Sequence, residues 1–248
     1  MIQENSIDKD SETKRGDIKK YYSNLPKIKI KKEINVATVF SGIGAVEQAL
    51  NRLKVKSKII FACDFNKFVK QSYLANYNID EENWHDDIID LDVKKHKGKV
   101  DILVGGSPCQ SFSSVGKRKG LKDDRGNLIY EYIRIIEECQ PNVFVFENVK
   151  GLLTHDKGKT WKNIILKDFE SLGYKLFFEV LNSKDYGIPQ HRDRLFLIGF
   201  KNHKIEFEFP KKINLEITVP DMLIDNADEK YYLGEKGVEF VFNVNNCI

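Results

Sequence analysis

VATVFSGIGAVEQALN, residues 36–51, decides how the chain folds. Five residues of β-branched and aromatic character (VATVF, 36–40) pass into Ser41-Gly42-Ile43-Gly44, and a helix-compatible stretch follows near 44–53. A buried strand that runs through a glycine turn into a helix is the opening of a βαβ unit. The alternation continues through KIIFAC (58–63), VDILVG (100–105), NVFVFEN (142–148), YKLFFEVLN (174–182) and RLFLIGF (194–200). Helix-compatible stretches lie near 66–77, 127–139 and 158–172. Near-continuous apolar runs are the mark of parallel strands covered on both faces. The expected fold is α/β, a doubly wound and mostly parallel sheet. A loop of about a dozen residues joins the last two runs, which are expected to form an antiparallel pair at one edge.

Composition narrows the classes. The chain has 248 residues, a net charge of +3, 31% charged and 41% hydrophobic residues, as a globular protein does. A chain of this size buries enough surface to need no disulfide or metal for stability. No apolar run approaches the ~18 residues of a membrane-spanning helix, so no membrane partner is expected. Residues 1–33 hold nine Lys/Arg and six Asp/Glu without periodicity, which reads as a mobile polar arm and not as a targeting peptide. Cys63, Cys109, Cys139 and Cys247 lie far apart and make no CxxC pair. That spacing argues against a metal site or a disulfide framework and for the reducing cytoplasm. Beyond residue 33 the charges balance, so contacts to nucleic-acid phosphates would come from local clusters such as Lys117, Arg118, Lys119 and Lys122.

In open α/β sheets ligands bind at the carboxyl ends of the strands. The glycines after the first strand leave room for a ligand, or simply make a βα turn; Gly-x-Gly-x-x-Gly is not met, because position 47 is Glu. Asp64 after the second strand sits where an acid takes ribose hydroxyls, and equally where it caps a helix. Phe65 beside it offers a face to a purine. Asp87 follows a short third strand and is either an acceptor for an adenine amino group or a surface acid. Cys109, in the loop Gly105-Gly106-Ser107-Pro108-Cys109-Gln110, is placed like a nucleophile more than like a core residue. Glu147 ends the apolar run FVFEN, where burial would raise its pKa and suit it to donate a proton; the alternative is a solvated strand-end acid. Arg192 and Arg194, at i and i+2 of an extended segment, point the same way and could fork onto a base oxygen or a phosphate. His191 reads as a surface residue. Gly116–Gly120 forms a basic loop able to close over a nucleic-acid backbone.

Taken in order, FSGIGA (40–45), ACDFN (62–66), DDI (86–88), GGSPCQSFS (105–113), RGNLIYEYIRI (125–135), FENVKG (146–151) and LNSKDYGIPQHRDRLFLIG (181–199) resemble the DNA cytosine-5 methyltransferase family, from Val36 to Phe209. The resemblance implies the class I S-adenosylmethionine-dependent methyltransferase fold and S-adenosylmethionine as cofactor. It implies Cys109 as the thiolate that adds to cytosine C6, Glu147 at N3, Arg194 on the O2 side and Arg192 orienting the site. Phe40, Gly42, Gly44, Asp64, Phe65, Asp87, Ile88, Pro108 and Leu128 would line the cofactor pocket. Gln110, Ser113, Lys117, Arg118 and Asn148 would face the substrate, a cytosine flipped out of double-stranded DNA, with loop 110–126 closing over it. The family usually has Glu and Trp where this chain has Asp64 and Phe65.

The same resemblance divides the chain into the arm 1–33, a catalytic and cofactor-binding domain 34–210, and the start of a target-recognition region at 211–248. After Phe209 there is no Gly-Asn-Ser-like motif, which in the family returns to the cofactor pocket. The expectation is a catalytic subunit of a two-polypeptide enzyme in a restriction-modification system, with a second chain supplying recognition. The competing expectations are an inactive or truncated remnant, a DNA-binding accessory protein, or a methyltransferase acting on transfer RNA. A dinucleotide-dependent oxidoreductase fits poorly, given the missing glycine fingerprint.

Overall fold

The computed structural model describes residues 32–108, 128–217, 221 and 227–242. The chain divides into two compact units, Asn24–Leu215 and a smaller one made of Met1–Ser23 with Glu216–Ile248. The arm expected at 1–33 lies almost wholly outside the described residues.

The larger unit begins with β1 (Ile34–Val39), whose last four residues are buried. It continues through α1 (Ala45–Arg52), β2 (Ser57–Cys63), α2 (Lys67–Asn76) and the two-residue β3 (Trp84–His85). Then come β4 (Ile102–Gly105), α3 (Leu128–Cys139) and β5 (Val143–Val149). The helix expected over 158–172 is present from Lys159 to Ser171, passing through a π-helical stretch (Trp161–Ile165) into α5 (Leu166–Ser171), and a kinked turn (His155–Gly158) separates it from the short α4 (Gly151–Thr154). Asp156, Lys157 and Gly158 all take positive φ there, which no continuous helix allows. The hairpin β6 (Lys175–Asn182) and β7 (Asp193–Phe200) closes the unit. In the smaller unit the described residues hold the helix α6 (Glu235–Phe242).

The seven strands lie in the order β3-β2-β1-β4-β5-β7-β6. All pairs from β3 to β5 are parallel, and β7 runs antiparallel to both β5 and β6. The expected antiparallel pair is therefore present, with the reversed strand inserted next to β5 and β6 left at the edge. Chain order reverses between β1 and β4, and the crevice above their carboxyl ends is where such sheets bind ligands.

Aromatic side chains fill the space between the sheet and α3 and α5. Tyr132 is fully buried and donates its hydroxyl proton to the Val145 carbonyl at 2.8 Å. Phe144, also fully buried, packs on Phe169, Tyr174 and Tyr132 with ring centroids 5.6, 5.2 and 6.4 Å away. This cluster lies beneath β5, the strand that ends in Glu147 and Asn148, so core packing sets the height at which those two residues emerge. Replacing Phe144 by Ala is expected to cost about 3–5 kcal/mol. Urea unfolding of the two chains side by side measures it, and a loss under about 1 kcal/mol would show that the cluster does not anchor the strand.

Candidate active site

Along β5, Phe146 and Asn148 turn into the protein while Glu147 and Val149 face the other side, as a pleated strand requires. Arg194 lies opposite Val149 in the antiparallel ladder. It is therefore a diagonal neighbour of Glu147 on the same face, within reach of a long side chain. Its Nε sits 2.9 Å from Glu147 Oε1, and its Nη1 donates to the Asp193 carbonyl at 2.8 Å. Gly106, just past β4, makes room for the carboxyl group. A Cβ there would stand 2.8 Å from both the Glu147 carbonyl and Oε2.

Burial pushes the Glu147 pKa up from the ordinary carboxylate value, and the Arg194 and Arg192 guanidinium groups pull it partly back. The expected upward effect of burial on the Glu147 pKa is therefore present, on a side chain that is half-buried. Arg192 is exposed, and its charge acts on the same carboxyl group as that of Arg194. His191 is an exposed side chain, as expected, 3.9 Å from Asp193 Oδ1.

Asn148 departs from the expectation of a substrate contact. It is 1% exposed and spends its amide within the protein: Nδ2 donates to the Ser107 carbonyl and Oγ at 3.4 and 3.3 Å, and Oδ1 accepts from the Val149 N–H. It ties the end of β5 to the loop that leads to Pro108. The pleat explains the difference, because an odd–even alternation cannot place Glu147 and Asn148 on one face. Pro108 is half-buried at the end of the described part of that loop. Cys109, Gln110, Ser113, Lys117 and Arg118 lie outside the described residues.

On the other side of the crevice, the turn after β1 is held from several directions. Gly42 N–H donates to Asp64 Oδ2 at 2.9 Å, and Asn66 N–H donates to Asp64 Oδ1 at 3.1 Å. Asp64 thus bridges the glycine turn and the start of α2. Asn66 itself, and not Asp64, caps that helix, accepting from Phe68 and Val69 N–H. Gly44 caps α1 with φ 87°, and a Cβ there would run into the Tyr77 ring, whose hydroxyl donates to the Gly44 carbonyl at 2.8 Å. Beneath the turn, buried Glu47 accepts from Thr38 Oγ1 at 3.2 Å and from the Tyr73 hydroxyl. The Thr38 and Ser41 hydroxyl oxygens are 2.8 Å apart, and Ser41 Oγ accepts from Cys63 N–H at 3.1 Å. Glu47, Tyr73 and Tyr77 were not singled out in the sequence. An acid in a helix's first turn ordinarily signals only a favourable dipole, and nothing local marks it as buried.

The turn offers what an adenosyl group needs. The Asp64 carboxylate keeps acceptor capacity beyond its two backbone bonds. Phe65 and Ile43, 78% and 68% exposed, are apolar surfaces beside it. Asp87 is exposed, with Oδ1 taken by Ile89 N–H at 2.9 Å. Ile88 turns into the core, and its carbonyl accepts from Arg134 Nη2 at 2.7 Å. Phe40 and Leu128 are half-buried against the core. Among the described residues no group of three or more His, Cys, Asp or Glu is placed to hold a metal ion.

A glycine turn and an acid on one side of a switch point, with a half-buried acid–guanidinium pair on the other, fit a nucleotide-binding protein of the doubly wound class. Comparison with known proteins makes the assignment narrower. Residues 34–244 match the model of the C-5 cytosine-specific DNA methylase family, and the chain belongs to that family. Orphan methyltransferase M.SPRI of Bacillus phage SPR is 39% identical, over 82% of this chain and 53% of its own length. Type II methyltransferase M.NlaX of Neisseria lactamica is 38% identical, over 81% of this chain and 63% of its own length. A solved putative DNA modification methyltransferase from an E. coli prophage superposes with TM-score 0.59 at 27% identity, covering 76% of this chain and 53% of that one. A DNMT2 of Spodoptera frugiperda shares the fold, with TM-score 0.64 at 23% identity over 79% of this chain and 61% of that one. The chain spans about half the length of the curated relatives it matches. The family's cofactor is S-adenosylmethionine, and Asp64, Gly42, Gly44, Phe65 and Asp87 fit its adenosyl end.

The ion pair carries a pH signature. Because Glu147 is held up by burial and down by Arg194, Arg194→Ala is expected to raise its titration midpoint further. Carboxyl-carbon NMR, assigned with Glu147→Gln, reads this directly. The sign follows: a raised midpoint keeps Glu147 protonated to higher pH, so the stability this group adds in acid persists further before it is lost as pH rises. A midpoint that stays put or falls would show that the 2.9 Å contact does not act on the carboxyl group.

Proposed function

We propose that this chain carries the chemistry of methyl transfer to C5 of cytosine in double-stranded DNA. The observation that supports it most is the half-buried Glu147 paired with Arg194 at the carboxyl end of β5, across the crevice from the Asp64-held glycine turn. Cytosine C5 is a poor nucleophile. In this reading the Cys109 thiolate adds to C6, which turns C5 into an enamine-like carbon. Glu147 presents its proton to N3 and offsets the charge that develops as the thiolate adds. Arg194 keeps the carboxyl group oriented and meets the O2 side of the ring, and Arg192 strengthens the positive field there. S-adenosylmethionine, when bound, supplies an electrophilic methyl group. A base then takes the C5 proton, the C6–S bond breaks by β-elimination to release the Cys109 thiolate, and the proton on N3 returns to Glu147. A base inside the duplex is out of reach, so the cytosine must be flipped into the crevice, with Gln110, Ser113, Lys117 and Arg118 on the strand side.

A role in a restriction-modification system belongs to this reading and is supported by the relatives described as type II methyltransferases; two other relatives are described as orphan methyltransferases. We also propose that sequence recognition comes from a second polypeptide, the product of a neighbouring reading frame, which would contribute base-edge contacts and the far wall of the cofactor pocket. Action in the cytoplasm belongs to the same reading. Among the described residues no helix is long and apolar enough to cross a membrane.

The test is transfer of labelled methyl groups to duplex DNA and to transfer RNA, with and without the neighbouring product. Labelled DNA, with Cys109→Ala inactive and Glu147→Gln reduced on the order of 100- to 10,000-fold, is the expected result. Labelled RNA alone would assign the chain to the transfer-RNA branch. Sequence-specific labelling of DNA by this chain alone would remove the second polypeptide.

A further inference from the structure

Asn182, the last residue of β6, is not part of the chemistry described above, yet its side chain is almost fully buried at 7% exposure and every polar atom is used. Its Oδ1 accepts from two backbone N–H groups at opposite ends of the connecting loop, Lys184 at 3.1 Å and Arg192 at 3.3 Å. Its Nδ2 donates to Asp193 Oδ1 at 2.7 Å. The second oxygen of Asp193 takes Lys150 Nζ at 3.2 Å, one residue past β5. The Asp193 carbonyl holds Arg194 Nη1, and Arg194 Nε holds Glu147. An unbroken chain of contacts therefore runs from Asn182 through Asp193 and Arg194 to Glu147, and Lys150 ties the same aspartate to β5.

The far part of the loop is held elsewhere, by Ile188 N–H on the Ser183 carbonyl at 3.2 Å, Ile213 N–H and Lys212 Nζ on Asp185 at 2.9 and 2.8 Å, and the Tyr186 hydroxyl on the Pro210 carbonyl at 3.0 Å, so its neck is where Asn182 acts. Ser183 N–H donates to the Arg192 carbonyl at 3.2 Å and Ser183 Oγ to the Gln190 carbonyl at 2.8 Å, both at the same neck that Asn182 closes. Arg194 is the second residue of β7; its backbone is paired with Val149 of β5 and Leu181 of β6, while its side chain is set by the residues around the neck. One buried amide joins both ends of a ten-residue loop to the side chain of the residue before Arg194.

We propose that Asn182 is a positioning residue for the reaction: with Asp193 and Lys150 it forms a latch that sets where the Arg194 guanidinium stands against Glu147. The proposal rests on the cytosine-5 reading for its kinetic consequence, but its structural consequence does not depend on that reading. Asn182 touches no reacting atom. It acts on the general acid through Arg194, and small displacements of such groups are costly in rate.

The experiment uses the full chain and two readouts. Among the described residues the charged groups acting on Glu147 are Arg194 from β7 and Arg192 from the loop before it. Carboxyl-carbon NMR of Glu147 in Asn182→Ala should show its midpoint move upward, because a displaced Arg194 no longer stabilises the ionised form. The double variant N182D/D193N puts a donor and an acceptor back against each other with their roles exchanged and the net charge kept. It should return the midpoint to that of the parent. A folded Asn182→Ala chain with an unmoved midpoint, or a double variant that fails to restore it, would overturn the latch. Should Asn182→Ala not fold, Asn182→Ser keeps a hydroxyl to accept from the loop N–H groups while its shorter side chain draws the donor back from Asp193, and carries the same test. In the methylation assay, Asn182→Ala should lower kcat on the order of 100-fold with KM for DNA nearly unchanged. A raised KM at constant kcat would contradict the proposal. A parent chain that methylates no cytosine would defeat the cytosine-5 reading, and the NMR readout would still decide the latch.

Discussion

A carboxyl group held half out of water by one guanidinium is the constraint around which this structure is arranged. Left alone, Glu147 at the end of an apolar strand would either protonate fully or pull the strand end into solvent. Paired with Arg194 at 2.9 Å it does neither, and its pKa sits above the ordinary value while remaining responsive to its partner. Everything that gives β7 its reversed direction serves this contact. In a parallel neighbour the residue beside Glu147 would have arrived from the amino end of the sheet. In the antiparallel ladder, Arg194 enters β7 at the edge where Glu147 leaves β5.

The rest of the crevice answers to the same economy of space. Gly106 has no side chain because the Glu147 carboxyl occupies that volume. Asn148 cannot share the active face, so its amide is used to hold the Ser107 backbone in place. Across the switch point, Asp64 is committed by two N–H donors to bridge the glycine turn and α2. The Glu47–Thr38–Ser41 group braces the same turn from below. Two banks result, one with an acid beside apolar faces, one with an acid tuned by its guanidinium partner.

Strand positions were legible in the sequence because buried parallel strands leave unbroken apolar runs, and VATVF, KIIFAC and FVFEN all do. The placing of β7 between β5 and β6 was not, because a hairpin's sequence says that two strands pair and not which of them meets the sheet. Glu147 and Arg194 could be singled out by residue type and by family resemblance, and the register shows why they meet. Asn182, Asp193 and Glu47 escaped notice for a common reason. Their importance lies in partners far along the chain, and each is an ordinary polar residue where it stands. The helix expected over 158–172 runs from Lys159 to Ser171, and the three successive positive φ values at Asp156–Gly158 mark where it starts; its π-helical stretch at Trp161–Ile165 is what hydrophobic spacing could not reveal.

The central claim is that a thiolate at Cys109 attacks a cytosine held by Glu147 and Arg194. It is tested most directly by exposing the chain, with the neighbouring product and S-adenosylmethionine, to duplex DNA in which cytosine is replaced by 5-fluorocytosine. Fluorine at C5 cannot leave as a proton does, so β-elimination stops and the attacking sulfur stays attached to the ring. Peptide mapping by mass spectrometry should find the nucleotide on the Cys109 peptide in the parent and far less of it in Glu147→Gln. An unmodified Cys109 peptide, or an adduct on another residue, would contradict the account.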